Sequence, residues 1–144
     1  IESPDNSDRG IETAIQAKGL TAPRVTPADI AANIVDEIYF TAQEGAEGAA
    51  NRKGGAMFDG TNNPLNLLTF CVLVLRSGFT VTGESACASP ENFDAEIGKR
   101  IARENAVQKI WPLMGYALKE QLSQRAQPPR MPPPVGEFSE PKPE

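Results

Sequence analysis

The stretch from Leu67 to Trp111 constrains the fold of this chain more than any other segment. It contains the apolar run LTFCVLVL at residues 68–75 and, after Ser77-Gly78, the run FTVTG, in which apolar residues alternate with threonine. A continuous apolar run, a turn and an alternating run are typical of a β-hairpin, here with Ser77-Gly78 as a two-residue turn. The chain is therefore predicted to form a small antiparallel sheet around this hairpin.

The polar segment after the hairpin is predicted to begin a long helix. Ser89 is a favourable N-cap residue, and Pro90 follows it at the first helical position. Asn92 would then lie in the first turn, where backbone N–H groups are unpaired and the helix dipole is positive. Such a helix start can hold an anion.

This central helix, at about residues 90–109, carries two stripes when it is projected at about 100° per residue. One stripe is apolar and is predicted to face the core: Phe93, Ile97, Ile101 and Trp111. The other consists of small residues and either packs on the chain's own hairpin or contacts a second subunit: Ala95, Gly98, Ala102 and Ala106. Because Pro112 disfavours an unbroken helix, residues 113–124 are predicted to form a second, kinked helical segment.

The N-terminal half predicts a further helix. Thr26-Pro27 followed by Asp29 is a strong helix start, and isoleucines recur at four-residue spacing over residues 27–38. Residues 39–41 either continue this helix or form an extended segment. Residues 43–50 are rich enough in alanine for one or two more helical turns, and the glycine-containing segment at residues 51–63 is predicted to be a loop.

These patterns predict an α+β fold, in which a short antiparallel sheet packs against a long C-terminal helix, kinked near Pro112, with an additional N-terminal helix. Residues 1–24 are interpreted as a flexible leader with at most one short helix, residues 25–125 as a single domain, and residues 126–144 as a proline-rich extended tail. A domain of this size buries a modest core. Assembly into a homodimer or a multiple of it is therefore expected.

Composition narrows the classes of function. The 144-residue chain has no histidine and a net charge of −5. The lack of histidine removes the commonest general base and a common metal ligand, so neither a metal nor a cofactor is predicted and catalysis becomes the minority hypothesis. The acidic balance argues against binding to duplex nucleic acid. No apolar run approaches the roughly 20 residues of a membrane span, and a protein of the cytoplasm with reduced, structural Cys71 and Cys87 is expected.

The central helix provides the first candidate ligand site. Asn92, Lys99 and Arg103 fall within roughly 40° of arc, with Glu96 between them. Together they offer an amide, an ammonium group and a forked guanidinium, a combination suited to a pyrophosphate or a cyclic phosphodiester. The alternative is a solvated helix face, on which Glu96 pairs with Lys99 or with Arg103.

The hairpin provides further candidate ligand contacts. Phe79 is either a stacking surface for an adenine or a core residue. Thr82 and Glu84 share one face of the strand and are candidates to bind ribose hydroxyls, although threonine is also a good strand former. Ser85 follows where the hairpin meets the polar segment. No glycine-rich phosphate loop with its lysine is present, which argues against hydrolysis of a nucleoside triphosphate.

Three motifs, LTFCVLVL, SGFTVTGESACASPENFD and IGKRIARENAVQKIWPLMGY, resemble a family of small tailed-phage accessory proteins, over roughly residues 27–122. We associate this family with the anti-Thoeris sponges, phage proteins that sequester the cyclic ADP-ribose signals made by bacterial TIR defence enzymes. The resemblance implies a protein of the infected host's cytoplasm that binds a cyclic nucleotide between paired subunits without cleaving it. Separate sites for the cyclic oligonucleotides of CBASS are implied in higher assemblies.

Two other functions remain open at this point. One is an enzyme, a phosphoesterase or a nucleotide-modifying protein, with Glu84, Asp94 or Glu96 as the base. The other is an oligomeric phage accessory protein that binds no small ligand. Recovery of intact ligand from a denatured complex distinguishes a sponge from an enzyme.

Overall fold

An antiparallel sheet crossed by one long helix forms the centre of the fold in the computed structural model, which describes residues 5–53, 63–130, 132 and 136. The helices and strands in this part of the chain are α1 (Asp8–Ala17), α2 (Pro27–Asn33), β1 (Ile34–Thr41), α3 (Ala42–Lys53), β2 (Leu68–Leu75), β3 (Thr80–Ala86) and α4 (Ala95–Ala126). Two short 3-10 helices, Pro64–Leu67 and Pro90–Asn92, precede β2 and α4. The predicted α+β class is confirmed.

Strand β2 lies at the centre of the sheet, between β1 and β3. Its residues alternate between half-buried and buried, and Cys71 lies opposite Tyr39 on one side and Gly83 on the other. The predicted hairpin is confirmed, but its loop has three residues, 76–78, rather than two. The Leu75 N–H donates to the Phe79 carbonyl oxygen at 2.9 Å, which closes the loop, and φ at the last loop residue is +86°.

The predicted helix over residues 27–38 is wrong in its second half. A capping box between Thr26 and Asp29 starts α2 as expected, but the helix ends at Asn33. Strand β1 follows it directly and pairs with β2 along its length, so the extended alternative for residues 39–41 is correct. The segment IVDEIYFT is rich in β-branched and aromatic residues, which suit a pleated strand better than a helix.

The flanking segments are described in part. The leader contains α1, whose N-cap Ser7 accepts a hydrogen bond from the Gly10 N–H. The helical turns predicted at residues 43–50 are present in α3, which continues to Lys53 and so takes the first three residues of the predicted loop. The rest of that loop, residues 54–62, and most of the tail lie outside the described residues.

Helix α4 begins later than predicted and is longer. The side chain of Asp94 accepts a hydrogen bond from the Ile97 N–H at 2.9 Å and caps the helix, whereas Ser89 makes no capping bond. Pro112 lies inside α4, so residues 113–124 continue the same helix rather than forming a separate segment. Pro112 is exposed to solvent. Pro112 has no N–H to donate to the Gln108 carbonyl oxygen, and this oxygen can instead accept a hydrogen bond from water.

The small-residue stripe of α4, rather than its isoleucines, faces the sheet. Gly98, Ala102 and Ala106 are buried, whereas 54% of Ile97 and 43% of Ile101 are exposed. The prediction that these two isoleucines face the core is wrong, and packing of the small stripe on the chain's own hairpin is correct. The core that results is small, and its fully or nearly fully buried residues include Ile30, Cys71, Leu73, Leu75, Val81 and Ile110.

The small residues of α4 face the sheet because α4 and β3 approach each other closely at Gly83. A Cβ atom added there would lie 2.0 Å from the Ala102 carbonyl oxygen and 2.3 Å from the Ala106 amide nitrogen. The two backbones are therefore in direct contact, which leaves no room for large side chains between them. Near this contact the larger apolar residues Ile97 and Ile101 point away from the sheet, whereas further along α4 Ile110 is fully buried and Trp111 packs half-buried against the core.

Candidate functional site

Arg103 extends from α4 to β1 and binds Glu37. Its Nε and Nη2 both donate to Glu37 Oε1, at 3.0 and 2.8 Å. The other carboxylate oxygen, Oε2, accepts from the Tyr39 hydroxyl at 2.9 Å. Arg103 uses two of its five N–H donors in this pair, and Nη1 makes no hydrogen bond within the described part of the chain. The guanidinium is thus oriented but not saturated.

The charges of this cluster reinforce one another. The neighbouring Arg103 guanidinium lowers the pKa of Glu37, and Glu37 in turn raises the pKa of Arg103. Burial, together with the hydrogen bond to Glu37, raises the pKa of Tyr39. Burial also raises the pKa of the Cys71 thiol beneath it. The ion pair is therefore charged at neutral pH, while the phenol and the thiol are neutral.

The structure places Lys99 beside Arg103 and Asn92 apart from both. Lys99 is one turn before Arg103 on α4, and its Nζ lies 3.5 Å from Glu96 Oε1 in an exposed pair. The Glu96–Lys99 pair agrees with the alternative prediction of a solvated helix face. Arg103, however, pairs with Glu37 and not with Glu96. Asn92 is exposed in the 3-10 turn that precedes α4. The prediction that Asn92 lies in the first turn of the long helix is wrong, because Asp94 caps that helix.

The hairpin candidates lie on other surfaces. Thr82 and Glu84 are exposed on the sheet face away from α4, where the Thr82 hydroxyl and Glu84 Oε1 are 3.4 Å apart. Phe79 is 57% exposed, which rules out a core role within this chain. It lies at the opposite end of β3 from the half-buried Ser85, about 20 Å away at about 3.3 Å per strand residue.

One chain therefore brings together Lys99 and Arg103, but not the remaining candidates. The sheet separates Thr82 and Glu84 from Arg103, since alternate strand residues point to opposite faces. A ligand that contacts both groups needs a second surface to complete its site.

Sequence reasoning missed Glu37, because it assigned this residue to a helix. It also missed two contacts of α1. The Trp111 indole Nε1 donates to Asp8 Oδ2 at 3.2 Å, and both terminal nitrogens of Arg24 donate to Glu12, at 2.5 and 2.7 Å. The four-residue spacing of Asp8 and Glu12, which puts both on one face of a helix, was the available signal.

Three of the cavities that the described residues line follow the side of α4 on which α1 and α2 lie. The smallest, about 150 Å³, is lined by Arg103 and Trp111. The next, about 240 Å³, lies beneath α1 and also contacts Trp111. The largest, about 390 Å³, extends toward the hairpin loop and is lined by Arg24 and Arg76. Arginine side chains therefore line the row of cavities at both ends.

The described residues form neither a metal-binding cluster nor a membrane-spanning helix. In residues 5–53 and 63–130, no cluster of three or more histidine, cysteine, aspartate or glutamate side chains is arranged to hold a metal ion. Of the helices that the structure describes, none is both long and apolar enough to cross a membrane. Cys71 and Cys87 are both free thiols.

Comparison with known proteins relates this chain to a protein family. No curated protein and no solved structure is significantly similar to this chain. A family profile, described as phage protein (N4 Gp49/phage Sf6 gene 66) family, matches residues 25–122. The match includes β1, the hairpin, Arg103 with its partner Glu37, and most of α4. Because it covers well over half of the sequence, the chain belongs to the phage protein (N4 Gp49/phage Sf6 gene 66) family.

Proposed function

We propose that this protein is a phage anti-defence sponge, which binds a cyclic nucleotide immune signal and sequesters it without cleaving it. Its ligands are the cyclic ADP-ribose isomers of Thoeris and, as a second class, the cyclic oligonucleotides of CBASS. It acts in the cytoplasm of the infected bacterial host. Membership of the phage family supports the setting, and the resemblance of the three motifs to the anti-Thoeris sponges supports the ligand class.

The observation that carries the proposal is the oriented guanidinium of Arg103. Glu37 holds it on one side, and the Nη1 edge remains available for a phosphate oxygen. An arginine fixed in this way loses less conformational entropy on binding than a free surface arginine does. Lys99, one helical turn away, adds a second cation with a mobile side chain. This pair suits the phosphates of a cyclic dinucleotide or of cyclic ADP-ribose.

The carboxylates considered as catalytic bases all have structural partners. Asp94 caps α4, Glu96 pairs with Lys99, and Glu84 lies within reach of the Thr82 hydroxyl. The sequence also provides no histidine to act as a base. These features favour binding without cleavage over phosphoester hydrolysis.

We further propose that a second copy of the chain completes the site. The separation of Thr82 and Glu84 from Arg103 within one chain supports this arrangement. So do Ile97 and Ile101, which form an exposed apolar pair on α4 close to Lys99. A symmetric dimer, or a higher multiple such as a hexamer, would bury this pair beside the candidate ligand contacts.

The decisive experiment is ligand release. Purified protein is incubated with separate cyclic ADP-ribose isomers and cyclic di- and trinucleotides, freed of unbound ligand, and heated to denature it. Chromatography and mass spectrometry then identify and quantify what is released. Intact ligand in a fixed ratio to protein supports the sponge. Linear or modified products would instead indicate the enzyme, and no retained compound would indicate an accessory protein without a small ligand.

Assembly is tested separately by sedimentation of the parent protein and of Ile101→Gln. The variant should associate more weakly, because it places an amide in the proposed apolar contact. Leu113→Gln, which makes the same apolar-to-amide change at another exposed position of α4, tests whether any such change on this helix has the same effect. A parent protein that sediments only as a monomer at micromolar concentration contradicts the proposed subunit arrangement.

A further inference from the structure

A groove between α2 and the C-terminal half of α4 lies outside the site proposed above. Its volume is about 390 Å³, within the usual range of about 300–1,000 Å³ for small-molecule sites. Val25, Met114 and Leu118 give it an apolar wall, and Arg24 and Arg76 line it as well. None of these residues contributes to the contacts proposed for the cyclic signal.

The backbone of Arg76 is held at one end of the groove. Its backbone N–H donates to the carbonyl oxygen of Asn33 at 3.0 Å and lies 3.3 Å from Asn33 Oδ1, so the hairpin loop is attached to the end of α2. The Arg76 side chain makes no ion pair within the described residues. An exposed, positively charged side chain thus starts from one end of the groove and has no ion-pair partner among the described residues.

Arg24, in contrast, is neutralised by α1. Glu12 binds both of its terminal nitrogens. This helix packs only lightly on the rest of the chain: none of its residues is buried, and Ile11 is 48% exposed. Besides the Glu12 pair, its polar attachment to the core is the bond between Asp8 and the Trp111 indole. A cavity of about 240 Å³ lies beneath α1 and shares Arg24 and Val25 with the groove.

The charge balance depends on the position of Glu12. The groove contains two cations, Arg24 and Arg76, and one carboxylate of its own, Asp29. The Asp29 carboxylate is engaged in the cap of α2, where it accepts from the backbone and the hydroxyl of Thr26. With Glu12 in place, the four charges sum to zero. When Glu12 leaves, the groove carries a net positive charge.

We propose that this groove binds a nucleoside diphosphate or a closely related phosphate-bearing nucleotide, whose phosphates replace Glu12 at Arg24 and also contact Arg76. In the empty protein, Glu12 occupies the position that a phosphate takes in the complex. The apolar wall formed by Val25, Met114 and Leu118 accommodates the base and the sugar. Two arginines give the forked, charge-assisted hydrogen bonds that phosphate groups accept well.

The test uses ADP, inorganic pyrophosphate and adenosine as probes, with binding measured by calorimetry on the full chain. ADP should bind more tightly than either fragment, since only ADP uses both the arginines and the apolar wall. Arg76→Gln should weaken ADP binding by about 10-fold to 100-fold, the cost of one lost hydrogen bond to a charged group. Arg100→Gln is the matched control: it removes the same charge from an exposed position on α4.

Glu12→Gln tests the replacement directly. The variant should bind ADP several-fold more tightly than the parent, because the phosphates no longer compete with a carboxylate for Arg24. Glu44→Gln, which removes the same charge from an exposed position of α3, should bind like the parent. Trp111 is the only tryptophan in the chain, so its single indole N–H resonance reports whether Asp8 stays bound. This resonance should shift during ADP titration and reach a plateau as the site fills.

Several results would overturn the proposal. They are an absence of ADP binding in both the parent and Glu12→Gln, an Arg76→Gln variant that binds like Arg100→Gln, and ADP binding no tighter than pyrophosphate. Thermal unfolding of each variant establishes that it is folded. Arg103→Ala should leave ADP binding unchanged, so failure of this site and failure of the proposed sponge function are distinguishable.

Discussion

Replacing Gly83 by alanine tests the central packing contact of the fold. An added Cβ would lie 2.0 Å from the Ala102 carbonyl oxygen and 2.3 Å from the Ala106 nitrogen, whereas unstrained heavy atoms approach to about 3.5 Å. Both neighbours are backbone atoms and cannot rotate away. Helix α4 must therefore move more than about 1 Å from the sheet, and a gap of that size forfeits about a quarter to a half of the dispersion attraction across the interface.

We expect Gly83→Ala to lower the free energy of unfolding by about 3 kcal/mol, the upper end for overpacking. The midpoint of thermal unfolding should fall by roughly 10 °C. Urea unfolding followed by circular dichroism and by Trp111 fluorescence measures the change. Gly115→Ala is the matched control, because Gly115 is helical with no atom within 4 Å of an added Cβ, and it should stabilise the protein by up to about 1 kcal/mol. Parent-like stability of Gly83→Ala would show that the two backbones do not touch.

Three further changes test the site and the helix. Arg103→Ala should weaken binding of the cyclic signal by about 2–5 kcal/mol without loss of folding, and parent-like calorimetry would contradict the proposed contact. Because Arg103 lowers the pKa of Glu37 below its ordinary 4.5, their pair stabilises the protein above that pH and ceases to do so as the pH falls through the lowered pKa. In urea titrations at several pH values, Glu37→Gln should abolish this pH-dependent contribution to the free energy of unfolding, which is at most about 1 kcal/mol because both side chains are partly exposed. Pro112→Ala should restore an N–H donor for the Gln108 carbonyl and raise stability by about 1–3 kcal/mol, and an unchanged urea midpoint would argue against this account.

The error at β1 shows a limit of periodicity. Ile30, Ile34 and Ile38 are four residues apart, and this spacing places side chains on one face of a helix. A strand accommodates the same residues differently: a register shift between Ile34 and Asp36 places Ile34 opposite Leu75 and Ile38 opposite Val72, so the two isoleucines lie on opposite faces of the sheet. What decides between them is pairing with β2, about 35 residues further along the chain. The helix start, in contrast, depends on the local capping box and could be predicted.

The prediction that Ile97 and Ile101 face the core was wrong, although the sequence indicated which side of α4 packs on the sheet. Large apolar residues were expected in the core because their burial contributes most free energy. An isolated glycine inside an alternating strand, however, indicates that another backbone approaches closely. Gly83 is such a residue, and the matching small residues on α4 are Gly98, Ala102 and Ala106. Complementary small residues on a strand and on a helix predict their contact better than side-chain size does.

The candidate site was predictable only in its local part. Lys99 and Arg103 are neighbours on α4 because helix geometry alone determines their spacing. The partner that orients Arg103 is Glu37, 66 residues away, and no local pattern identifies it. Glu84, on the opposite face of the sheet, reaches the same ligand only if a second chain supplies it. Ligand binding and subunit association are then thermodynamically linked, so each must strengthen the other. A variant that weakens the proposed dimer, such as Ile101→Gln, should therefore lower affinity for the proposed cyclic signal without altering any group proposed to contact it.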